Sequence, residues 1–105
     1  MNSFEDLVKT IGGLAAQMGD LHRQAVSEYT PVVDGLIRSG SRDVRRIEQT
    51  LDGLLGFADY DPALQLYRRL CRYYWDIDPV ATAEYVLIYR KMWDSEDEAE
   101  PESQP

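Results

Sequence analysis

The sequence contains little of what most catalytic and metal sites are built from. Its 105 residues include one cysteine, Cys71, and one histidine, His22. One cysteine excludes a disulfide within the chain, and one cysteine with one histidine is too few for a zinc site. The motifs G-x-x-x-x-G-K, G-x-G-x-x-G and H-E-x-x-H do not occur. We therefore expect no bound metal, no cofactor and no enzymatic activity.

The residues that could still carry chemistry have simpler roles. Cys71 falls on the apolar face of a predicted helix, where a thiol packs rather than reacts. His22 borders an apolar stripe and is interpreted as a helix-flank histidine, not a general base. Two pairs of aspartates could bind a cation, but one member of each is expected to cap a helix, and no glycine-containing calcium loop surrounds them. The pairs are Asp59 with Asp61 and Asp76 with Asp78.

Long apolar runs are also missing, so the sequence predicts no segment that crosses a bilayer. The opening residues MNSFEDLVK are acidic where a signal peptide would be basic, and no apolar core follows them. We therefore expect a cytoplasmic protein. Hydrophobic residues make up 44% of the chain, enough for the core of one small domain.

The negative charge is concentrated at the C-terminus. The chain carries 19 acids and 11 bases, a net charge of −8, and six of the acids lie in residues 94–105. Residues 1–93 are left with 13 acids and 11 bases, a net charge of −2. The terminal segment has no apolar residue larger than alanine to offset its ordering entropy. We therefore predict a single helical domain at 1–93 and a disordered acidic tail at 94–105, either solubilising or able to engage a basic partner.

Helix signals predict an all-α fold, a small bundle of four to five helices. Ser3, Ser41, Asp61 and Asp78 are expected N-caps, the two aspartates each preceding a proline, and Gly40 is an expected C-terminal stop. Thr30-Pro31 predicts a break after the first helix, and a kinked continuation of that helix is the alternative. The predicted helices span about 3–28, 31–39, 42–56, 62–75 and 79–93, and the last of them is expected to place Tyr85, Ile88, Tyr89 and Met92 together on its apolar face.

The first helix carries an apolar stripe whose steps alternate between three and four residues, a heptad pattern. A helix of this length overhangs shorter partners unless it bends or a second chain covers it. We therefore predict a homodimer through this stripe. Its face is formed by Leu7, Ile11, Leu14, Met18 and Leu21.

One segment has a family resemblance. Tyr60, Ala63, Tyr67 and Leu70 stand at spacings of three, four and three, and the run YDPALQLYRRL resembles the second helix of a tetratricopeptide repeat. No self-similarity with the 34-residue period of that family extends upstream. The resemblance implies packed helical hairpins.

Arginine and aromatic residues predict a surface that binds another macromolecule. Nine of the 11 bases are arginine, which favours bidentate and stacking contacts, although a solvated face paired with nearby acids is the simpler interpretation. Tyr73, Tyr74 and Trp75 span about 200° of a helix, so they cannot all face one core. Tyr, Trp and Arg are enriched at binding hot spots. The candidate partner-binding residues are Arg68, Arg69, Arg72, Tyr73, Trp75, Arg90 and Trp93.

These features favour a non-catalytic protein–protein interaction module. The alternative is a small acidic inhibitor of a nucleic-acid-handling enzyme, of the anti-CRISPR, anti-restriction or antitoxin type, that blocks a basic groove. A third hypothesis is a nucleic-acid-binding module that uses arginine and aromatic stacking. The net negative charge opposes this third hypothesis, because nucleic-acid binding draws mainly on phosphate neutralisation.

Overall fold

The computed structural model describes residues 3–93, except for the side chain of Ala15, and confirms the all-α prediction with four helices. Three of them begin and end within two residues of the predicted bounds. The predicted acidic tail at 94–105 lies outside the described residues. The helices are α1 (Ser3–Arg38), α2 (Val44–Leu55), α3 (Asp61–Trp75) and α4 (Pro79–Trp93).

The predicted break between residues 28 and 31 is wrong, because α1 is one helix of 36 residues with Pro31 inside it. Proline removes one helical hydrogen bond at a cost of about 3 kcal/mol. Burial offsets this cost in α1, because Val33 and Leu36, which follow the proline, are packed in the core. The Thr30 hydroxyl donates to the Val26 carbonyl at 2.6 Å and does not replace the bond that Pro31 lacks, whose acceptor would be the Ser27 carbonyl. Tertiary packing therefore carries the helix through Pro31.

Helix α1 ends at Arg38, and Gly40 follows it as the predicted C-terminal stop, with a φ of 64° in the left-handed region that glycine tolerates. The Ser41 amide donates to the Leu36 carbonyl at 3.0 Å, and the Gly40 amide donates to Ile37 at 3.1 Å. This pair of bonds is a Schellman motif, which satisfies the last carbonyls of the helix.

The remaining caps agree with the sequence at only one position. Asp78 accepts from the Ala81 amide at 3.0 Å and caps α4 as predicted. Asp43, not Ser41, caps α2 by accepting from the Arg46 amide at 3.2 Å. Asp61 is the first residue of α3 rather than its N-cap, a position held by Tyr60 without a side-chain hydrogen bond. Asp61 lies one residue too far into the helix to cap it.

The core lies between the C-terminal half of α1, α2 and α3. It includes Cys71, buried as the sequence predicts, and Tyr74, the largest side chain that is fully buried. The other members are Val33, Leu36, Ile47, Leu51, Leu54, Leu55, Ala63, Leu66, Tyr67 and Leu70.

Three tyrosine hydroxyls connect the helices around this core. Tyr74 donates to the Glu48 carboxylate at 2.5 Å, and Tyr85 donates to that of Asp52 at 2.9 Å. Tyr67 donates to the Tyr85 carbonyl at 2.7 Å. Burial raises the pKa of all three tyrosines, and the neighbouring carboxylates raise the pKa of Tyr74 and Tyr85 further. The three hydroxyls therefore stay protonated and act as donors.

Helices α1 and α2 approach closely at a glycine. The ring of Tyr29 lies over Gly53 in the last turn of α2, and a Cβ atom built on Gly53 would lie 2.7 Å from the Tyr29 Cζ atom and would overlap the phenolic oxygen. Carbon atoms prefer separations of about 3.5 to 4.0 Å. A side chain at position 53 would therefore force the Tyr29 ring or the helix to move. Within residues 3–93, no helix has the combined length and apolar character that crossing a membrane requires.

Candidate protein-interaction surface

Helices α3 and α4 run antiparallel and enclose a groove of about 350 Å³ on their solvent side. The loop between them is short, and the Tyr67–Tyr85 hydrogen bond joins the helices at mid-length. The Tyr67 and Tyr89 rings lie 6.1 Å apart between centroids. We call this feature the α3–α4 groove. It is lined by Leu64, Tyr67, Arg68, Cys71, Val86, Tyr89 and Arg90.

The groove is apolar along its floor and charged at its border. Leu64, Arg68 and Cys71 recur at helical spacing on one side of α3. Trp75 follows Cys71 by one turn, so it extends the same side of the helix, and it is 54% exposed. Arg68 and Arg90 are the charged members of the lining, and no carboxylate is among them.

A second, polar pocket of about 320 Å³ lies beside the groove and shares Arg68 with it. It is lined by Gln65, Arg68, Arg69 and Arg72. Arg69 forms an ion pair with Asp34 of α1 at 2.9 Å, so this arginine contributes to packing between α1 and α3. Arg68 and Arg72 are exposed and form no ion pair with another residue of the described chain. They are the strongest positive feature of this surface.

Two of the candidate aromatic residues are held by backbone carbonyls. The Tyr73 hydroxyl donates to the Ser41 carbonyl at 2.6 Å, and this side chain is half-buried. The Trp93 indole donates to the Leu55 carbonyl at 2.9 Å and leaves part of its ring exposed. The structure thus brings Arg68 and Arg90 together at the groove, and Trp75 lies one turn beyond the lining residue Cys71 on α3. The structure directs Tyr73 and Trp93 to internal hydrogen bonds.

Sequence reasoning misplaced part of α4. The spacing predicts Ile88 and Met92 on the buried face beside Tyr85 and Tyr89, but they are 41% and 48% exposed. Among the residues of α4 only Thr82 is buried. Apolar residues occur all round this helix while neighbours cover one side, so α4 presents additional exposed apolar residues. These are Val80, Val86, Leu87, Ile88, Met92 and Trp93.

The predicted dimer face on α1 is exposed along its whole length. Leu7, Ile11, Leu14, Met18 and Leu21 are 54% to 59% exposed, and Phe4 is 75% exposed. Contact with the bundle becomes close at His22, whose ring packs against Phe57 and Tyr60 at 5.4 Å. The His22 Nδ1 atom lies 2.7 Å from the Met18 carbonyl oxygen. The segment before His22 therefore projects beyond the bundle.

The single cysteine, the nucleophile considered in the sequence analysis, is buried. Cys71 lies at the floor of the groove, and burial raises the pKa of its thiol to about 11. Nucleophilic attack requires the thiolate, which is scarce at neutral pH for such a thiol. Within the described range 3–93, no cluster of three or more His, Cys, Asp or Glu residues could hold a metal ion.

Comparisons of this chain with protein-family models, with curated proteins and with solved structures found no match.

Proposed function

We propose that this protein is a non-catalytic protein-interaction module, acting in the cytoplasm, that binds an acidic amphipathic helix of a partner protein. The helix would lie in the α3–α4 groove. The observation that carries the proposal is the groove itself, an apolar depression that is open to solvent and bordered by arginine. Apolar grooves of this kind accept one face of an amphipathic helix.

The dimensions of the groove suit a short helix. From Leu64 to Trp75 α3 rises about 16 Å, which equals about three turns of a bound helix. Such a segment would present apolar side chains at i, i+3 or i+4, and i+7 to the floor. Tyr89, which is half-buried, and Trp75, which is exposed, supply large rigid contacts, and tryptophan and tyrosine are enriched among residues that dominate binding energy.

Charge indicates what lies on the outer face of the partner. Arg68 and Arg72 are exposed beside the groove, and the lining contains no acid that would repel a carboxylate. Carboxylates on the bound helix would meet both guanidinium groups, which fixes orientation and speeds association more than it adds affinity. The partner segment is therefore expected to carry Asp or Glu at its rim.

A matched set of variants tests this proposal. Val86→Glu places a charge in the groove, while Leu87→Glu places the same charge on the adjacent exposed apolar residue outside it. Arg68→Glu reverses the charge at the groove, and Arg45→Glu does so at an exposed position on α2. The defined ligands come from a displayed library of 16-residue amphipathic helical peptides, some with acidic and some with basic residues beside the apolar face. The natural partner is sought by capturing proteins from source cells with the same four variants.

We expect acidic amphipathic peptides to be selected, their affinity to fall at least tenfold in Val86→Glu, and their association rate to fall at least tenfold in Arg68→Glu, because the reversed charge repels them. The two control variants should bind as the unsubstituted chain does, and all four should keep its helical circular dichroism. Equal binding by Val86→Glu and Leu87→Glu would refute the groove as the docking site. Selection of basic peptides would refute the assigned partner chemistry.

The alternative function, inhibition of a nucleic-acid-handling enzyme by occupying its basic groove, is favoured by the six acids in residues 94–105. An acidic segment competes with phosphates for such a groove. Deletion of 94–105 separates the two functions, because it would abolish inhibition by that segment and leave binding in the α3–α4 groove unchanged.

A further inference from the structure

We propose that two copies of this chain pair through residues 3–21 of α1 as an antiparallel coiled coil, with the twofold axis beside Gly12 and Gly13. This pairing uses a face that is separate from the α3–α4 groove, so it stands independently of the proposed function. The occupant of the exposed apolar stripe is then a second copy of the same segment.

The stripe is too large and too regular to be incidental. Every described side chain from Ser3 to Met18 is exposed, over a segment of about 28 Å from Ser3 to Leu21. Single exposed apolar residues are ordinary on a protein surface, but a continuous apolar patch marks an interaction site. The stripe side chains are Phe4, Leu7, Ile11, Leu14, Met18 and Leu21.

The spacing of the stripe is self-complementary in the antiparallel direction. When Ile11 of one copy faces Leu14 of the other, Leu7 faces Met18 in the same register. Phe4 then faces Leu21, so every large residue of the stripe meets another. A twofold interface requires this reciprocity, in which residue i contacts j and j contacts i. Because the steps alternate between three and four residues, the stripe faces the partner helix along its whole length.

The residues beside the stripe permit self-pairing. In the heptad frame one flank carries Ser3, Thr10 and Gln17, and the other flank begins with Val8. These flanking positions hold the charges that select partners in most coiled coils. Because the flanks named here carry no charge, two identical copies meet no like-charge repulsion there. These flanks also carry no charge that would make a chain of different sequence the preferred partner.

The charged residues of this segment lie away from the apolar stripe. Glu5, Asp6, Lys9 and Asp20 occupy the outer heptad positions, where solvent screens them. Like charges on the two copies therefore remain apart when the stripes pack together.

The junction between α1 and the bundle favours the antiparallel direction over the parallel one. A pocket of about 270 Å³ opens there, lined by Leu21, Gln24, Ala25, Glu28, Tyr29 and Phe57. In the antiparallel register Phe4 of the second copy faces Leu21 and enters this pocket. In a parallel pair Phe4 meets Phe4 at the far end, and the helix dipoles align side by side. The two bundles, which begin at His22, would also lie next to each other.

The area is sufficient for a stable pair. At roughly 100 Å² for each of the six side chains, pairing removes about 600 Å² per copy and about 1,200 Å² in total. This is the lower end of the range found in stable specific interfaces. We therefore expect a dissociation constant in the micromolar range.

Disulfide trapping tests the register on the full chain. Leu7→Cys and Met18→Cys are made separately, and each is oxidised alone and then in a mixture after subunit exchange. Antiparallel pairing predicts rapid crosslinking of the mixture, at least tenfold faster than of either variant alone. The unsubstituted chain, oxidised in the same way, shows how much crosslinking arises from Cys71 alone. Faster crosslinking of Leu7→Cys alone than of the mixture would show a parallel pair and overturn the register.

Sedimentation equilibrium between 1 and 100 µM, about the expected range of dissociation, tests the pairing itself. We expect a dimer that Leu14→Glu converts to a monomer, while Ala16→Glu, on the exposed opposite side of the same turn, leaves the dimer intact. A monomer at 100 µM, or a trimer or tetramer, would overturn the proposal. Either result leaves the groove experiment unaffected, because that experiment measures peptide affinity at positions on α3 and α4.

Discussion

The contact between Tyr29 and Gly53 predicts that Gly53→Ala destabilises the fold, against the usual effect of this substitution. In an exposed helix interior, replacing glycine by alanine gains about 1 kcal/mol because glycine loses more backbone entropy on folding. At Gly53 the added Cβ would lie 2.7 Å from the Tyr29 Cζ atom, so the ring or the helix must move. Inserting a methyl group into a close contact costs about 1 to 3 kcal/mol.

Gly35 provides the matched control. It also lies inside a helix, but a Cβ atom built on it meets nothing within 4 Å. Gly35→Ala should therefore raise stability by up to about 1 kcal/mol. Gly53→Ala should lower it by up to about 2 kcal/mol after its propensity gain is subtracted from the cost of the contact. For a domain of this size the two variants should melt about 10 °C apart.

Thermal and urea unfolding, followed by circular dichroism, measure both variants. A double-mutant cycle with Tyr29→Ala identifies the cause, because removing the ring should convert Gly53→Ala from destabilising to neutral or stabilising. The reasoning is refuted if Gly53→Ala is as stable as Gly35→Ala. It is also refuted if the penalty persists in the Tyr29→Ala background, since the ring would then not be the obstacle.

Two further predictions concern pH and helix capping. Because the pKa values of Tyr67, Tyr74 and Tyr85 are raised in the fold, the folded chain keeps protons that the unfolded chain releases above about pH 10. The contribution of these tyrosines to the free energy of unfolding should be fully present below about pH 10. Above that pH it should fall by up to about 1.4 kcal/mol per pH unit for each tyrosine. Unfolding midpoints that stay constant between about pH 8 and 11.5 would contradict this. Asp78→Ala should cost about 1 kcal/mol because it removes the cap on the Ala81 amide, whereas Asp61→Ala, which removes no cap, should cost less in the same urea titration.

Much of the fold follows from local chemistry that is readable in the sequence. Asp78 before Pro79 sets the start of α4, and Gly40 sets the end of α1. Each signal acts within four residues, so no tertiary information is needed to interpret it. The error at Pro31 has the opposite origin. The burial of Val33 and Leu36 outweighs a local rule, and this burial depends on helices that come later in the chain.

The candidate site was predictable in composition but not in arrangement. The sequence predicts Arg68 and Trp75 as interface residues because arginine and tryptophan are typical of interfaces. The groove itself was not predicted, because it depends on how α4 is rotated against α3. The apolar pattern of α4 does not define that rotation, and for this reason the spacing predicts burial for Ile88 and Met92, which the structure leaves exposed. The hydrogen bonds of Tyr73 and Trp93 join residues more than 30 positions apart, beyond any local pattern.

The attachment of α4 has a consequence for how the chain unfolds. In a solenoid of helical hairpins the last helix touches only its predecessor and can fray without harming the rest. Here the Trp93 indole and the Tyr85 hydroxyl both reach back to α2, so the final helix is joined to two elements. Loss of α4 therefore uncovers α2 and α3 at once. Residues 22–93 should melt as one cooperative unit, and proteases should find no stable intermediate that lacks only the last helix.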